Sequence, residues 1–259
     1  MPAADKSSVP IAVDISHGIA RIKLQRPPLN VLDIEALRRL NQALREADAS
    51  AARVIVLSSN LPRGFSAGVE IRDHVAGRLQ PMLAEVRVNA SLLLQTNAVT
   101  IAAINGPTMG GGAELALLCD LVIAADDLIL AFPEIGLAAF PPIASALLPE
   151  QCPGPAAMRL LLGESIDAPT AERLGLVSTI VPADRLNDAA DALANRIAGY
   201  SAVALHALIR STRSQRTPGI LQRLDAAIAT YQAIVGPSRD AQEGVDAFIE
   251  KRTPAWSHR

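Results

Sequence analysis

Aromatic side chains are scarce in this sequence: four Phe, two Tyr and one Trp among 259 residues. Stacking platforms for single-stranded nucleic acid or for sugars need more rings than this. An excess of charge of either sign is also missing, with 24 Lys and Arg against 26 Asp and Glu, a formal net charge of −2 and no long basic run. General nucleic-acid binding therefore lacks its electrostatic footing. The only two cysteines, Cys119 and Cys152, lie in apolar surroundings without a CxxC or a His-rich neighbourhood. That argues against a disulfide framework and a metal site, and fits a reducing, cytoplasmic compartment. The first ten residues lack the charged start and apolar run of a secretory signal. Residues 99–125 form one long hydrophobic stretch whose only charges are Glu114 and Asp120, but Pro107 and Gly110-Gly111-Gly112 break its middle. It reads as a buried strand, turn and helix rather than a membrane span.

What is present is enough apolar material for a core, half of the residues, with 19% charged. The length suits one domain or one domain with an appendage. Around His17-Gly18, runs 11–13 and 19–24 predict a hairpin. Asp33 can cap a helix whose apolar positions Ile34, Leu37, Leu40, Leu44 and Ala47 share one face. Val54 to Leu57 predicts a buried strand, 80–96 a helix and 99–104 the next strand, the alternation of a parallel α/β fold. A turn at Asn105-Gly106-Pro107 leads to a helix over 113–119 and strands over 121–124 and 128–132. Beyond about residue 145 the pattern predicts helices only, at 155–162, 169–174, 186–198, 203–213, 220–234 and 241–251, separated by Gly or Pro.

Two glycine-containing turns each follow a strand: Phe65-Ser66-Ala67-Gly68 and Gly110-Gly111-Gly112. Glycine lets the backbone approach a ligand closely, and unpaired N–H groups at a helix start can hold an oxyanion. Packing alone also explains such turns, and neither has the spacing of a phosphate-binding loop. Glu114 lies two residues past the triple glycine in an otherwise apolar helix, and Glu134 follows Phe132-Pro133. Two carboxylates so placed suggest a paired acid and base. A buried ion pair for the first and a solvated loop position for the second are the plainer alternatives.

These motifs, in order, are Phe65-Ser66-Ala67-Gly68-Val69-Glu70, Ala103-Ile104-Asn105-Gly106, Gly110 through Ala116, Cys119-Asp120, Phe132-Pro133-Glu134-Ile135-Gly136, Ala171 through Val177 and Glu243 through Arg252. Together they make the chain resemble the crotonase (enoyl-CoA hydratase/isomerase) superfamily over residues 11–254. The resemblance implies a spiral of ββα units over residues 1–199 and a C-terminal helical region over 200–259 that packs subunits into trimers or hexamers. It implies an acyl-CoA thioester as substrate, no metal and no cofactor beyond the coenzyme A of that substrate. The oxyanion-hole N–H groups map to Ala67 and Gly111, and the two glutamates that handle water in the family's hydratases map to Glu114 and Glu134, with acid and base left unassigned. Substrate or coenzyme A contacts fall on Arg63, Ser66, Gly68, Val69, Ile71, His74, Phe140, Pro142, Phe248 and Lys251. For His74 a capping role, for Arg63 a solvated one, and for Phe248 and Lys251 helix packing and surface charge remain open.

Having both glutamates favours water addition over double-bond isomerisation or ring hydrolysis, and the resemblance implies a setting in aromatic or fatty acid degradation. A non-catalytic or RNA-binding relative fits poorly with both glutamates present and few lysines, and a scaffold subunit remains a third reading. The chain departs from ordinary hydratases at Ala139-Phe140-Pro141-Pro142-Ile143-Ala144, where a glycine-rich stretch is usual. Proline has no N–H, so Pro142 cannot donate to substrate or water. With Asp73-His74, this segment resembles the branch of the family that hydrates cyclohexa-1,5-diene-1-carbonyl-CoA.

Overall fold

The two runs flanking His17-Gly18 pair as expected. In the computed structural model, which describes residues 10–259, β1 (Ile11–Ser16) runs antiparallel to β2 (Ile19–Leu24). Both turn residues have positive φ, the geometry that a two-residue hairpin requires. The expectation about a secretory leader falls almost wholly on residues 1–9, outside the described residues. From β2 the sheet continues in parallel through β3 (Val54–Ser59), β4 (Val99–Ile104), β6 (Leu121–Ala125) and β9 (Thr179–Val181). A second sheet of three short strands joins β5 (Pro107–Met109), β7 (Ile129–Ala131) and β8 (Ile166–Asp167).

The strands alternate sides with period two, and each side has its own core. Ile55 and Leu57 of β3 join the larger cluster under α1 (Ile34–Ala49) and α2 (Leu79–Gln95). Val54 and Val56 face the smaller one, against Leu186, Ala190 and Ala194 of α7 (Leu186–Ala198). Asp33 caps α1 as its sequence position suggests, its side chain accepting from Ala36 N at 2.8 Å. Leu40 of α1 is fully buried, a site where truncation to Ala costs about 2–5 kcal/mol.

Between β5 and β7 lie α3 (Gly111–Leu117) and β6, and after β7 a 3₁₀ turn, Pro133–Leu137, precedes α4 (Pro142–Gln151) and α5 (Gly154–Leu161). Helix α4 was not expected; Pro142 occupies its first turn, where a missing N–H costs nothing. The region beyond residue 145 is not wholly helical either, since the short strands β8 and β9 lie there on either side of the expected helix α6 (Ala168–Arg173).

The expected break between helices at Pro218 is absent, because α8 runs unbroken over Ala202–Thr230. An interior proline costs a helix roughly 3 kcal/mol. Burial of Ile220, Leu221 and Leu224, and the bond from Thr217 Oγ1 to Leu94 O at 3.1 Å, offset that loss. Helix α9 (Arg239–Glu250) then packs on the Pro133–Leu137 turn, at a separation only glycine permits: a Cβ on Gly244 would stand 2.2 Å from Leu137 O. Among the described residues no single helix is long and apolar enough to cross a membrane.

Candidate active site

The first glycine turn is held from within. Asn30 donates its side-chain amide to Phe65 O at 2.8 Å, and Ser66 Oγ donates to Asn30 O at 2.7 Å while accepting from Gly68 N at 3.1 Å. Ser66 is buried and serves the turn instead of lining the cavity beside it. Leu32 then pairs across Val69, its N–H going to Gly68 O and its carbonyl accepting from Glu70 N. This pairing decides which backbone N–H groups remain free.

The N–H of Ala67 is not one of them, because it donates to Leu29 O at 2.9 Å. That corrects the expectation that Ala67 supplies one arm of an oxyanion hole. The N–H of Val69, two residues on, has no acceptor among the described residues, and neither has that of Gly111 in the first turn of α3. The two turns touch at these atoms. A Cβ on Gly111 would lie 2.7 Å from Val69 Cγ2 and 3.4 Å from Val69 N, and one on Gly68 would lie 3.2 Å from Gly111 N. Val69 and Gly111 both line the cavity, and their N–H groups are the pair available to a carbonyl oxygen.

Glu114 follows one turn into α3 and is only 3% exposed. Its Oε1 accepts from Ala144 N at 2.8 Å, at the N-terminal end of α4. Burial pushes its carboxyl above the ordinary range, while the N–H groups of Ala144 and Ile143 oppose that by favouring the anion. Glu134 sits on the Pro133–Leu137 turn, packed against Gly110 so closely that a Cβ there would stand 2.6 Å from Glu134 Oε1. Its Oε2 is buried without a hydrogen-bond partner among the described residues. Burial first, then the charge of Glu114, raises the Glu134 carboxyl. Two carboxylates pushed upward together hold one proton between them near neutrality. Glu114, which has backbone donors, is the better site for the anion, and Glu134 the better site for the proton.

Both carboxyls open on a cavity of about 460 Å³. Ala67, Gly68, Val69 and Ile71 form one side of it, and Phe140, Pro142 and the pair of glutamates form another. His74 lines it as well. Its Nδ1 stands 3.1 Å from Glu70 O, and burial lowers its proton affinity, which favours the neutral imidazole. Phe248 and Lys251 border the cavity from the end of α9, within the same chain. Arg63, by contrast, is exposed and does not line the cavity, whereas Arg72 does. Met82, Leu83 and Val86 of α2 add an apolar wall, and Tyr231 lines the cavity with its ring on Phe140. Periodicity marks the α2 residues only as core, and nothing in the local sequence brings Tyr231 to Phe140 and the two glutamates, which lie far from it along the chain.

A family model described as enoyl-CoA hydratase/isomerase matches residues 14–259. The chain is 34% identical to a cyclohexa-1,5-dienecarbonyl-CoA hydratase of Thauera aromatica, over 98% of this chain and 99% of that one. It is 35% identical to a probable enoyl-CoA hydratase of Mycobacterium leprae, over 96% of this chain and 98% of the other. Among solved structures, a carnitinyl-CoA hydratase from Mycobacterium avium superposes with a TM-score of 0.85 at 29% identity, covering 96% of this chain and 99% of that one. With its parallel sheet, its paired glycine turns and a family match that spans nearly its whole length, the chain belongs to the enoyl-CoA hydratase/isomerase (crotonase) family.

Proposed function

We propose that this protein adds water to a conjugated enoyl- or dienoyl-CoA thioester. The observation that carries the reading is the pair Glu114 and Glu134, buried on one cavity beside the unpaired N–H groups of Val69 and Gly111. The thioester carbonyl accepts both N–H groups. Glu114 takes a proton from water as the water oxygen bonds to the β-carbon, and the displaced electron pair moves through the conjugated system onto the carbonyl oxygen. Glu134 then gives its proton to the carbon chain as the enolate collapses. Every atom of water enters the product once a proton passes from Glu114 back to Glu134, and no redox group or metal is needed. The coenzyme A of the substrate runs past Arg72 and Lys251, with Phe248 closing over it.

A cyclic diene is the acyl group we favour. The cavity wall at Phe140, Pro142 and Tyr231 is built from rings, which are stiff, and the Thauera relative carries that substrate in its name. We further propose a homotrimer or a pair of trimers, supported by exposed apolar residues Val203 and Leu208 on α8 and Met158 and Leu162 at α5. A cytoplasmic setting is supported by the two free, buried cysteines. The test is to offer purified protein crotonyl-CoA and cyclohexa-1,5-diene-1-carbonyl-CoA separately and follow loss of thioester conjugation. Turnover of the cyclic diene alone is the expected result, and turnover of crotonyl-CoA alone would return the chain to the general hydratases. A shifted double bond without water uptake in either would favour an isomerase.

A further inference from the structure

Tyr231 is one of two tyrosines in the chain and the only one on the cavity. It stands where α8 gives way to a π-helical turn, Tyr231–Val235, a geometry that re-aims a side chain and recurs at functional sites. The residue is 2% exposed, and its ring rests on Phe140 with centroids 5.1 Å apart and planes tilted by 39°. Among the described residues the phenol makes no hydrogen bond, and its oxygen is not one of the sealed, unpartnered atoms, so it is open to the cavity that the residue lines. The structural framework therefore holds the ring and leaves the hydroxyl unspent.

Burial raises the phenol's affinity for its proton, and the charges of Glu134 and Glu114 raise it further, so both carboxyls lie within electrostatic reach of the hydroxyl. A phenol so placed is a donor and never a base. The water molecule of the hydration step has two lone pairs: one forms the bond to the β-carbon, and the other is free to accept. Its proton goes to Glu114, so the carboxyls account for the proton traffic but leave that second lone pair unmatched. We infer that Tyr231 is a third catalytic group, whose hydroxyl donates a hydrogen bond to the oxygen atom that passes between water and the acyl chain. The phenol keeps its proton throughout. In the reverse direction the same bond supports the departing hydroxyl. This inference rests on the hydratase reading and gives the hydratase's water oxygen a third partner beside the two glutamates of the same cavity.

Tyr231→Phe removes one atom that has no partner within the protein and keeps the ring on Phe140, so the variant is expected to fold. Two reactions separate a role at the oxygen from a structural one. Hydration uses the water oxygen, whereas exchange of the α-protons of butyryl-CoA with D₂O uses only the carbonyl donors and a carboxylate. The expected result is a fall in hydration kcat of about tenfold or more, with KM within about twofold of wild type and α-proton exchange retained. Phe140→Leu, which keeps the hydroxyl but loosens its support, is expected to lower hydration more than exchange as well. A Tyr231→Phe enzyme that hydrates at the wild-type kcat, or one that loses hydration and exchange in equal proportion, overturns the role of Tyr231 while leaving the hydratase reading intact. A wild-type protein that hydrates no enoyl thioester overturns the hydratase reading, and the role of Tyr231 falls with it.

Discussion

Replacing Glu114 by Gln should cost the protein its activity and raise its stability, and the second effect should depend on pH. Burial raises the proton affinity of this carboxyl in the folded state, so the folded protein holds a proton that the unfolded chain would release. The stability linked to that proton is complete below the ordinary carboxyl range and is lost as pH rises through the higher folded-state value. Wild type is therefore penalised at alkaline pH, where a buried anion has one backbone donor within hydrogen-bond distance, Ala144 N at 2.8 Å, and no cationic partner among the described residues. Leaving such a buried group short of partners costs about 1–3 kcal/mol. Gln keeps an oxygen for Ala144 N and never ionises, so the variant escapes the penalty. At roughly 2–4 °C per kcal/mol for a chain of this size, its Tm should exceed that of wild type by about 5 °C near pH 9 and by little near pH 5. Scanning calorimetry on both proteins across that range measures the difference. Parallel Tm curves for the two would refute the assignment of Glu114 as a strained, raised carboxyl, as would full hydration activity in the variant, for which a loss of about 10² to 10⁴ is expected.

Hydration should follow a bell-shaped pH profile, because the working form holds one proton on the pair. It should fall on the acid side as Glu114 becomes protonated and on the alkaline side as Glu134 ionises, with both limbs above the ordinary carboxylate range; kinetics of kcat/KM against pH read this directly. Gly111→Ala would put a methyl group 2.7 Å from Val69 Cγ2 and spread the two N–H donors, with kcat expected to fall by about 10². Gly244→Ala would drive α9 off the turn that carries Glu134, since its Cβ would meet Leu137 O at 2.2 Å; thermal unfolding should register a loss of about 1–3 kcal/mol, and substrate titration a higher KM.

Local physics made much of this protein legible in its sequence. His17-Gly18 marked a tight hairpin, Asp33 marked a helix start, and carboxylates at 114 and 134 stood out because their neighbours are apolar. What local reasoning missed was decided by distant partners. Ala67 and Val69 are equally good N–H donors on paper, and only the carbonyl of Leu29, brought in by the fold, takes the first out of use. Pro218 looks like a helix end until α2 and α4 bury the side chains around it. Strand β8 is two residues long and owes its existence to β7, which no periodicity could reveal. Tyr231 is a single ring in a long helix, and its meaning comes from where α8 ends.

The most direct test of the account is isotope incorporation in ¹⁸O-labelled water by wild type and by Glu114→Gln and Glu134→Gln, with the enoyl- or dienoyl-CoA that the wild-type protein consumes. The account expects wild type to give a product heavier by one labelled water, and each glutamine variant to form it at least about a hundredfold more slowly. A product without the label, or variants that incorporate it at the wild-type rate, would contradict the claim that these two buried carboxyls together hydrate the thioester.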